Sequence, residues 1–297
     1  MGFFEMKDKD FISILEATKK SPAQVSVRGW VLRERGSNML KFIILRDSSG
    51  IIQCVLDRKK FDKRWNEIDK LQVETSLKVT GRTKEDKRAP TGFEITVDEI
   101  EIVGISDKFP INKDLNEKLL GDRRHLWLRS RKMVAVLKIR SSILFALHSF
   151  FRRNKFIEVE APSFTGSTSE GGSTTFEVPY FGKKAYLTQS WQFYAENIIN
   201  AVERAYAIAP SFRAEKSKTT RHLTEFWHCE AEAAWVDMEE LMSLARDCLS
   251  FVLNEVINEN LSELQILEID VDRLIKKNYF SRITYREAID TLIKKGY

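Results

Sequence analysis

The sequence predicts an α+β protein with two domains, a small β-barrel followed by an antiparallel sheet with helices. Three observations support this fold class. Short β-branched or alternating segments fill the first hundred residues, a long amphipathic pattern begins at Arg131, and the later strand and helix patterns lack a regular βαβ order. A chain of 297 residues has room for about two domains. We expect a barrel domain over 1–105, a linker or hinge over 106–130, and a second domain over 131–297.

The barrel is predicted from five strand-like segments and one helical segment. Gly, Ser, Asp and Pro separate the segments, and a helical spacing over Asp62–Leu71 falls between the third and the fourth. Five strands with a helix in this place is the order of an OB-fold barrel. The predicted strands are Gln24–Arg33, Leu40–Arg46, Ile51–Asp57, Ser76–Arg82 and Phe93–Val103.

The second domain opens with a predicted helix over Arg131–Lys155, because apolar residues recur there at helical spacing. The helix leads into a predicted strand, Phe156–Val159, which Pro162 follows. Further strands are predicted over Tyr180–Gln189, Ala205–Ser211, Ser211–Glu215 and Thr224–Trp235. Further helices are predicted over Gln192–Arg204, Glu239–Asn258 and Tyr285–Lys295.

Charge and composition limit the possible cellular location and binding partners of the protein. The net charge is +5, and the excess of Lys and Arg is concentrated in residues 106–155, which indicates either a phosphate-binding surface or a solvated helix face. No apolar run reaches the roughly 20 residues that cross a bilayer, and the first ten residues lack the features of a secretory signal. Cys54, Cys229 and Cys248 are far apart and give no metal-ligand spacing. We expect a cytoplasmic protein without a membrane partner.

The most specific stretch is Pro210–Trp235, which reads PSFRAEKSKTTRHLTEFWHCEAEAAW. It combines Phe-Arg-x-Glu, a basic loop rich in hydroxyl groups, and alternating acids at Glu230 and Glu232. Alternate residues of a strand share a face, so carboxylates and cations are expected on one surface. Arg213 has the fork that binds phosphate, and Phe226 offers a platform for a base.

This stretch resembles the second signature motif of the class II aminoacyl-tRNA synthetases, in the subgroup for aspartate, asparagine and lysine. The resemblance implies that Arg213 is the catalytic residue and holds the α-phosphate of ATP and the amino-acid carboxylate. It implies that Glu215 meets the adenine amino group and that Phe226 stacks on adenine. The remaining ATP contacts that it implies are Arg221, His222 and Leu223.

Two more segments resemble elements of the same family. The predicted helix, strand and proline over Arg131–Pro162 match the first signature motif, which in the family forms the interface of a homodimer. Ser169-Glu170-Gly171-Gly172 resembles the mobile loop whose acid, here Glu170, meets the substrate α-amino group. The adjacent glycines give such a loop the freedom to close.

The amino-acid pocket favours asparagine over aspartate. Gln189-Ser190-Trp191-Gln192 resembles the QSPQ segment of aspartyl enzymes, and the resemblance assigns Gln189 and Gln192 to the amino acid. Aspartyl enzymes place a Lys three residues after the second Gln, where this chain has Ala195. A buried carboxylate without a partner is costly, so the missing cation disfavours aspartate. Glu230 or Glu232 would accept a hydrogen bond from the asparagine amide.

The barrel resembles the anticodon-binding domain of the subgroup. Phe42 and Gln53 have the spacing of an aromatic that stacks on an unpaired base and a Gln that reads its edge. The phosphate contacts expected beside them are Arg28, Arg33 and Arg35. The resemblance thus implies tRNA as the partner, bound at its anticodon loop and its acceptor end.

The family pattern is incomplete in this sequence. The third signature, a glycine-rich strand and helix ending in Glu-Arg, is absent, and with it the acids expected to hold Mg²⁺. The implied activity is asparagine ligation to tRNA with ATP and Mg²⁺, by a chain that is a fragment, or that works with a second chain supplying the third motif. Two alternatives remain. One is an aspartyl enzyme, discriminating or not, and the other is a non-catalytic relative that binds RNA.

Overall fold

The protein was analysed as a computed structural model, which describes residues 11–110, 117–166, 174–216, 219, 221–276 and 280–296. The chain divides into two compact units, Met1–Arg123 and Arg124–Tyr297. The boundary between them falls within the segment predicted as a linker, 106–130, where the helices Glu117–Asp122 and Arg124–Trp127 lie. The domain limits 1–105, 106–130 and 131–297 remain a prediction.

The first unit contains a closed barrel with the strand order β1-β2-β3-β5-β4. This confirms the predicted OB-fold barrel. A 3-10 turn, Asp62–Arg64, and the helix α2, Trp65–Asp69, lie between β3 and β4 as predicted, whereas the helix α1, Ile14–Lys19, was not predicted. The strands are β1, Gln24–Gly36; β2, Leu40–Arg46; β3, Ile51–Asp57; β4, Ser76–Glu85; and β5, Phe93–Gly104.

The barrel core follows from the alternation of its strands. In β2, for example, Ile43 and Leu45 are fully buried, whereas Phe42 and Ile44 on the outer face are only half-buried. Such a period of two places one row of every strand inside the barrel. Both short helices contribute to the same core, which includes Val27, Ile43, Leu45, Ile52, Leu56, Leu77, Val79, Ile95, Ile14 and Ile68.

Two glycines allow the barrel backbones to approach closely. A Cβ atom at Gly29 would lie 2.2 Å from the carbonyl oxygen of Arg46, and one at Gly81 would lie 2.2 Å from that of Thr96. The register between β4 and β5 also shifts at Thr80 and Gly81. No side chain fits at these distances, so the barrel requires glycine at both positions.

The second unit contains two small sheets with the strand orders β11-β10-β6 and β7-β9-β8. The strands are β6, Ile157–Glu158; β7, Phe164–Thr165; β8, Glu177–Tyr180; β9, Lys183–Leu187; β10, Arg204–Phe212; and β11, Glu225–Ala233. Helix α3, Glu117–Asp122, is the last element of the first unit. The helices of the second unit are α4, Arg124–Trp127; α5, Arg131–Arg153; α6, Gln192–Val202; α7, Met238–Glu259; α8, Leu261–Ile266; α9, Val271–Lys276; and α10, Tyr285–Lys294.

Helix α5 is the main packing element of this unit. Its residues Phe150 and Phe151 join Phe156 and Tyr206 in a core against α7, and the rings of Phe151 and Tyr206 stack with centroids 4.9 Å apart. By length and composition alone, α5 would also be able to cross a membrane, contrary to the expectation from the sequence. A core helix of a soluble protein passes the same test, and α5 carries Lys138 and Arg140 in its middle.

Two strand predictions in this unit were wrong in part. The strand predicted over Tyr180–Gln189 is broken by a turn at Phe181 and Gly182, both of which have positive φ angles. The strand predicted over Ser211–Glu215 ends at Phe212. Beyond that point the Ala214 N–H donates to the carbonyl oxygen of Thr174 at 2.8 Å, so the chain has left its partner strand β11.

Candidate functional site

The candidate site of the second unit lies on one face of the β10–β11 hairpin. The register pairs Ser211 with Phe226 and Ala207 with Glu230. Along β11, Phe226, His228, Glu230 and Glu232 are half-buried, whereas the intervening Trp227, Cys229 and Ala231 are exposed. The alternation therefore gathers the predicted Phe226, Glu230 and Glu232 on one face.

Glu230 is held by the segment that precedes α6. Ser190 donates its hydroxyl to Oε1 of Glu230 at 2.5 Å, and the Trp191 backbone N–H donates to Oε2 at 3.0 Å. The Trp191 side chain is buried with Ala195, Ala205 and Ala207, which fixes this backbone against the sheet. The carboxylate of Glu230 therefore has a defined orientation.

Gln189 offers a buried acceptor to a ligand. Its Nε2 donates to the carbonyl oxygen of Thr174 at 3.2 Å, while its Oε1 is buried and has no hydrogen-bond partner. Leaving a buried polar atom without a partner is costly, so a donor such as an ammonium group would be stabilised there. Gln192 is exposed, and its Nε2 donates to Glu196 at 2.9 Å.

Arg213 and Phe226 lie together at the end of the hairpin. The guanidinium of Arg213 lies over the ring of Phe226, 5.6 Å from its centroid, and the Arg213 backbone N–H donates to Thr224 at 3.0 Å. His222 is hydrogen-bonded to Thr219. The remaining residues predicted for ATP are also exposed, so cations and carboxylates line an open surface: Glu215, Arg221, His222 and Leu223.

Two further predictions for the amino-acid pocket concern Glu170 and Ala195. Glu170, predicted to meet the α-amino group, lies outside the residues that the structure describes. Ala195, which replaces the expected Lys, is 1% exposed and packs against Trp191. A long cation at this position would have to displace core atoms, so the local packing agrees with the small side chain.

Burial raises the pKa of the Glu232 carboxyl, and the nearby Glu196 raises it further. The pKa is therefore higher in the folded state than in the unfolded state, and between these two pKa values the folded protein binds more protons. The free energy of unfolding falls as the pH rises through this range. We therefore expect Glu232→Gln to stabilise the protein at pH 8 but not at pH 4. Urea unfolding at both pH values checks this, with Glu225→Gln on the same strand as control. An equal effect of Glu232→Gln at both pH values would contradict it.

On the barrel, three of the predicted tRNA residues lie together. Arg35 of β1 is paired in register with Phe42 of β2, and its guanidinium lies over the Phe42 ring, 5.0 Å from the centroid. Arg35 also donates to Oε1 of Gln53 at 3.4 Å. Gln53 is 4% exposed and donates to Glu94 at 2.8 Å, and Glu94 pairs with Lys84. A continuous row of polar and aromatic groups thus crosses the barrel.

Arg33 lies on the same face as this row, and Arg28 lies apart from it. Arg33 is exposed on β1 and pairs in register with Ile44 of β2, which in turn pairs with Gln53 of β3. Arg28 is paired in register with Lys78 of β4, and its guanidinium lies over the ring of Phe11. The structure therefore brings Arg35, Phe42 and Gln53 together, places Arg33 beside them, and leaves Arg28 elsewhere on β1.

Sequence reasoning missed the donors that hold Glu230. Ser190, the Trp191 backbone and His228 surround this carboxylate, and His228 Nδ1 lies 3.3 Å from its Oε2. The alternation of β11 would have placed His228 beside Glu230, but nothing in the sequence indicates the contact with the segment before α6. Among the described residues, no group of three or more His, Cys, Asp or Glu side chains could hold a metal ion.

The fold combines a closed five-stranded barrel with a second unit built on antiparallel strands and helices. A family model for the OB-fold nucleic acid binding domain matches residues 25–103, and one for class II tRNA synthetases (D, K and N) matches residues 116–296. The chain therefore belongs to the class II tRNA synthetases of the D, K and N group.

Two curated relatives and one solved structure are named for the same amino acid. The chain is 45% identical to the asparagine–tRNA ligase of Thermoplasma acidophilum over 94% of its own length, and 41% identical to that of Thermococcus gammatolerans over 92%. It spans 66% and 64% of those relatives, about two thirds of their length. The solved asparaginyl-tRNA synthetase of Pyrococcus horikoshii complexed with asparaginyl-adenylate is 35% identical and superposes with a TM-score of 0.89, covering 97% of this chain and 68% of that one.

Proposed function

We propose that this chain is part of an asparagine–tRNA ligase, which activates asparagine with ATP and transfers it to tRNA. The observation that carries the proposal is the carboxylate of Glu230, which Ser190 and Trp191 hold, together with the buried Ala195 in place of a cation in the helix that follows. A carboxylate accepts hydrogen bonds and repels another carboxylate, so it favours an amide over an acid. The similarity to asparagine–tRNA ligases supports the same substrate. The aspartyl alternative lacks such support.

Activation is proposed to depend on position and charge. Arg213 would hold the α-phosphate and the amino-acid carboxylate, so that the carboxylate attacks phosphorus in line and pyrophosphate leaves. Phe226 and Glu215 would bind adenine, and Gln189 and Glu170 would bind the α-ammonium group. Arg221 and His222 would bind the outer phosphates, and Leu223 would also contact ATP. Mg²⁺ would accompany ATP, with its protein ligands in the third signature motif.

The barrel is proposed to bind the anticodon loop. Phe42 provides a stacking surface, and Gln53 is fixed by Glu94, so that it presents one orientation of its amide. Arg35, Arg33 and Arg28 are proposed to contact phosphates. Stacking gives affinity for an unpaired base and a fixed amide gives choice among bases, which suits single-stranded RNA.

Two partners besides tRNA are proposed. Helix α5 exposes apolar side chains that suit an interface between two copies of the protein, with Val136 42%, Leu137 46% and Phe145 65% exposed.

Because the chain spans about two thirds of its relatives, we also propose that a polypeptide supplying the third signature motif completes the site. Three free cysteines are compatible with the proposed cytoplasmic location.

The test is ATP–pyrophosphate exchange with asparagine and aspartate in parallel. We expect no exchange by the chain alone. Exchange with asparagine is expected after addition of the last third of the Thermoplasma acidophilum relative. Exchange with aspartate at an equal rate would overturn the choice of amino acid. Strong exchange by the chain alone would overturn the need for a second polypeptide.

A further inference from the structure

We propose that the Ser190 hydroxyl, the Trp191 backbone N–H and His228 form a clamp that fixes the Glu230 carboxylate for the selection of asparagine. In this clamp His228 is a positioning residue, which acts on the substrate through Glu230. The inference rests on the proposed function and adds the residues that determine specificity within the same site.

The clamp engages both oxygens of the carboxylate. Oε1 accepts from the Ser190 hydroxyl at 2.5 Å, and Oε2 accepts from the Trp191 N–H at 3.0 Å. Ser190 is itself fixed, because its Oγ accepts from the Gln192 N–H at 3.1 Å and its carbonyl oxygen accepts from the Thr188 hydroxyl at 2.8 Å. With one donor on each oxygen, the carboxylate plane has little freedom to rotate.

His228 completes the clamp from the sheet. Its Nδ1 lies 3.3 Å from Oε2 of Glu230 and 3.2 Å from Oγ of Ser211, and its ring packs against Phe226 with centroids 5.4 Å apart. The hydrogen bond of Nδ1 is with Ser211, and its approach to Glu230 is an ion-pair contact, which attracts the carboxylate when the ring is protonated. Ser211 and the Phe226 ring hold the imidazole in this position.

The backbone donor at Trp191 distinguishes this chain from a QSPQ sequence. Proline has no N–H, so it would leave Oε2 of Glu230 without this donor. Glu232, the other acid considered for the amide, accepts no hydrogen bond from the described residues and is close to Glu196. The geometry therefore selects Glu230 as the acid that reads the amide.

A fixed acceptor discriminates better than a mobile one. The amide of asparagine donates a hydrogen bond to the carboxylate, whereas the carboxylate of aspartate brings a second negative charge to the same oxygens. If Glu230 were free to turn away, aspartate would escape part of this repulsion. The clamp prevents such a rotation, so its loss is expected to reduce the preference for asparagine more than the overall affinity for the adenylate.

The experiment measures dissociation constants of the whole chain for two non-hydrolysable adenylate analogues, asparaginyl- and aspartyl-sulfamoyl adenosine. His228→Leu is expected to lower the preference for the asparaginyl analogue by about 10-fold, since one polar partner of the Glu230 carboxylate is lost. His228→Asn places an amide nitrogen near the position of Nδ1 and is expected to restore most of the preference. Cys229→Ala, on the opposite face of β11, is the matched control and should leave the ratio unchanged.

The outcomes separate the inference from the function on which it rests. A wild-type chain that binds neither analogue even after addition of the last third of the Thermoplasma acidophilum relative, or that binds both equally, overturns the proposed function and the clamp with it. A wild-type preference that persists in His228→Leu, or a loss of affinity equal for both analogues, overturns the clamp alone. If circular dichroism shows that His228→Leu does not fold, Ser190→Ala replaces it, with the same expected 10-fold loss.

Discussion

Replacing Arg213 with alanine is expected to weaken binding of asparaginyl-sulfamoyl adenosine by about 100-fold, the effect of losing hydrogen bonds from a charged guanidinium to the sulfamate and acyl oxygens, which stand in for the α-phosphate and the amino-acid carboxylate. Arg213 is exposed and its side chain contacts Phe226, so the free energy of unfolding should change little. Calorimetric titration of wild type and variant measures the effect, and urea unfolding verifies that the fold is intact.

Two controls decide whether the effect belongs to the guanidinium. Arg213→Lys keeps the charge but loses the planar fork, so it should recover only part of the affinity. Arg246→Ala removes an exposed arginine of α7 whose ion pair is with the adjacent Asp247, and it should have no effect. Equal losses in Arg213→Ala and Arg246→Ala would show that only the net charge matters and would contradict the proposed role.

Gly81→Ala is expected to destabilise the barrel by about 3 kcal/mol or more, because the new methyl group cannot be accommodated without moving backbone. Its Cβ would lie 2.2 Å from the Thr96 carbonyl oxygen and 2.8 Å from Cγ2 of Ile95, both on the neighbouring strand β5. Relief of this clash requires β4 and β5 to separate. The free energy of unfolding in urea measures the loss.

The matched control is Gly50→Ala in the same unit. Its Cβ would meet only Cγ2 of Ile14 at 3.8 Å, an ordinary contact, so the stability should stay within about 0.5 kcal/mol of the wild type. If the two alanine variants unfold at the same urea concentration, close backbone approach at Gly81 is not what the barrel requires.

The barrel was the part of the fold most readily predicted from sequence. Strands β2 and β3 have the predicted limits, because β-branched residues end there at Asp, Ser or Gly. Helix α1 was missed because it is six residues long and its apolar pattern is too short to show a period. Helix α5 was found because its pattern extends over several turns.

The candidate site was predicted as a set of residues but not as a geometry. Alternation along β11 places Phe226, Glu230 and Glu232 on one face, as expected. The contact of Glu230 with Ser190 joins residues 40 positions apart, and only the packing of α6 against the sheet creates it. Local patterns carry no information about such a contact, and the same is true of the Gln53–Glu94 pair.

The two aromatic rings proposed to hold bases share one feature, since an arginine already covers each of them. The Arg35 guanidinium lies 5.0 Å from the Phe42 centroid, and that of Arg213 lies 5.6 Å from the Phe226 centroid. A base that binds must exchange places with a cation, so the net gain is the difference between a stack of about 1–3 kcal/mol and a cation–π contact of about 0.5–2 kcal/mol. The net free energy of replacing the arginine by a base is then close to zero. Each displaced arginine would become available to the phosphate that arrives with the base. With the proposed function, base and phosphate would be recognised by one coupled exchange at each ring.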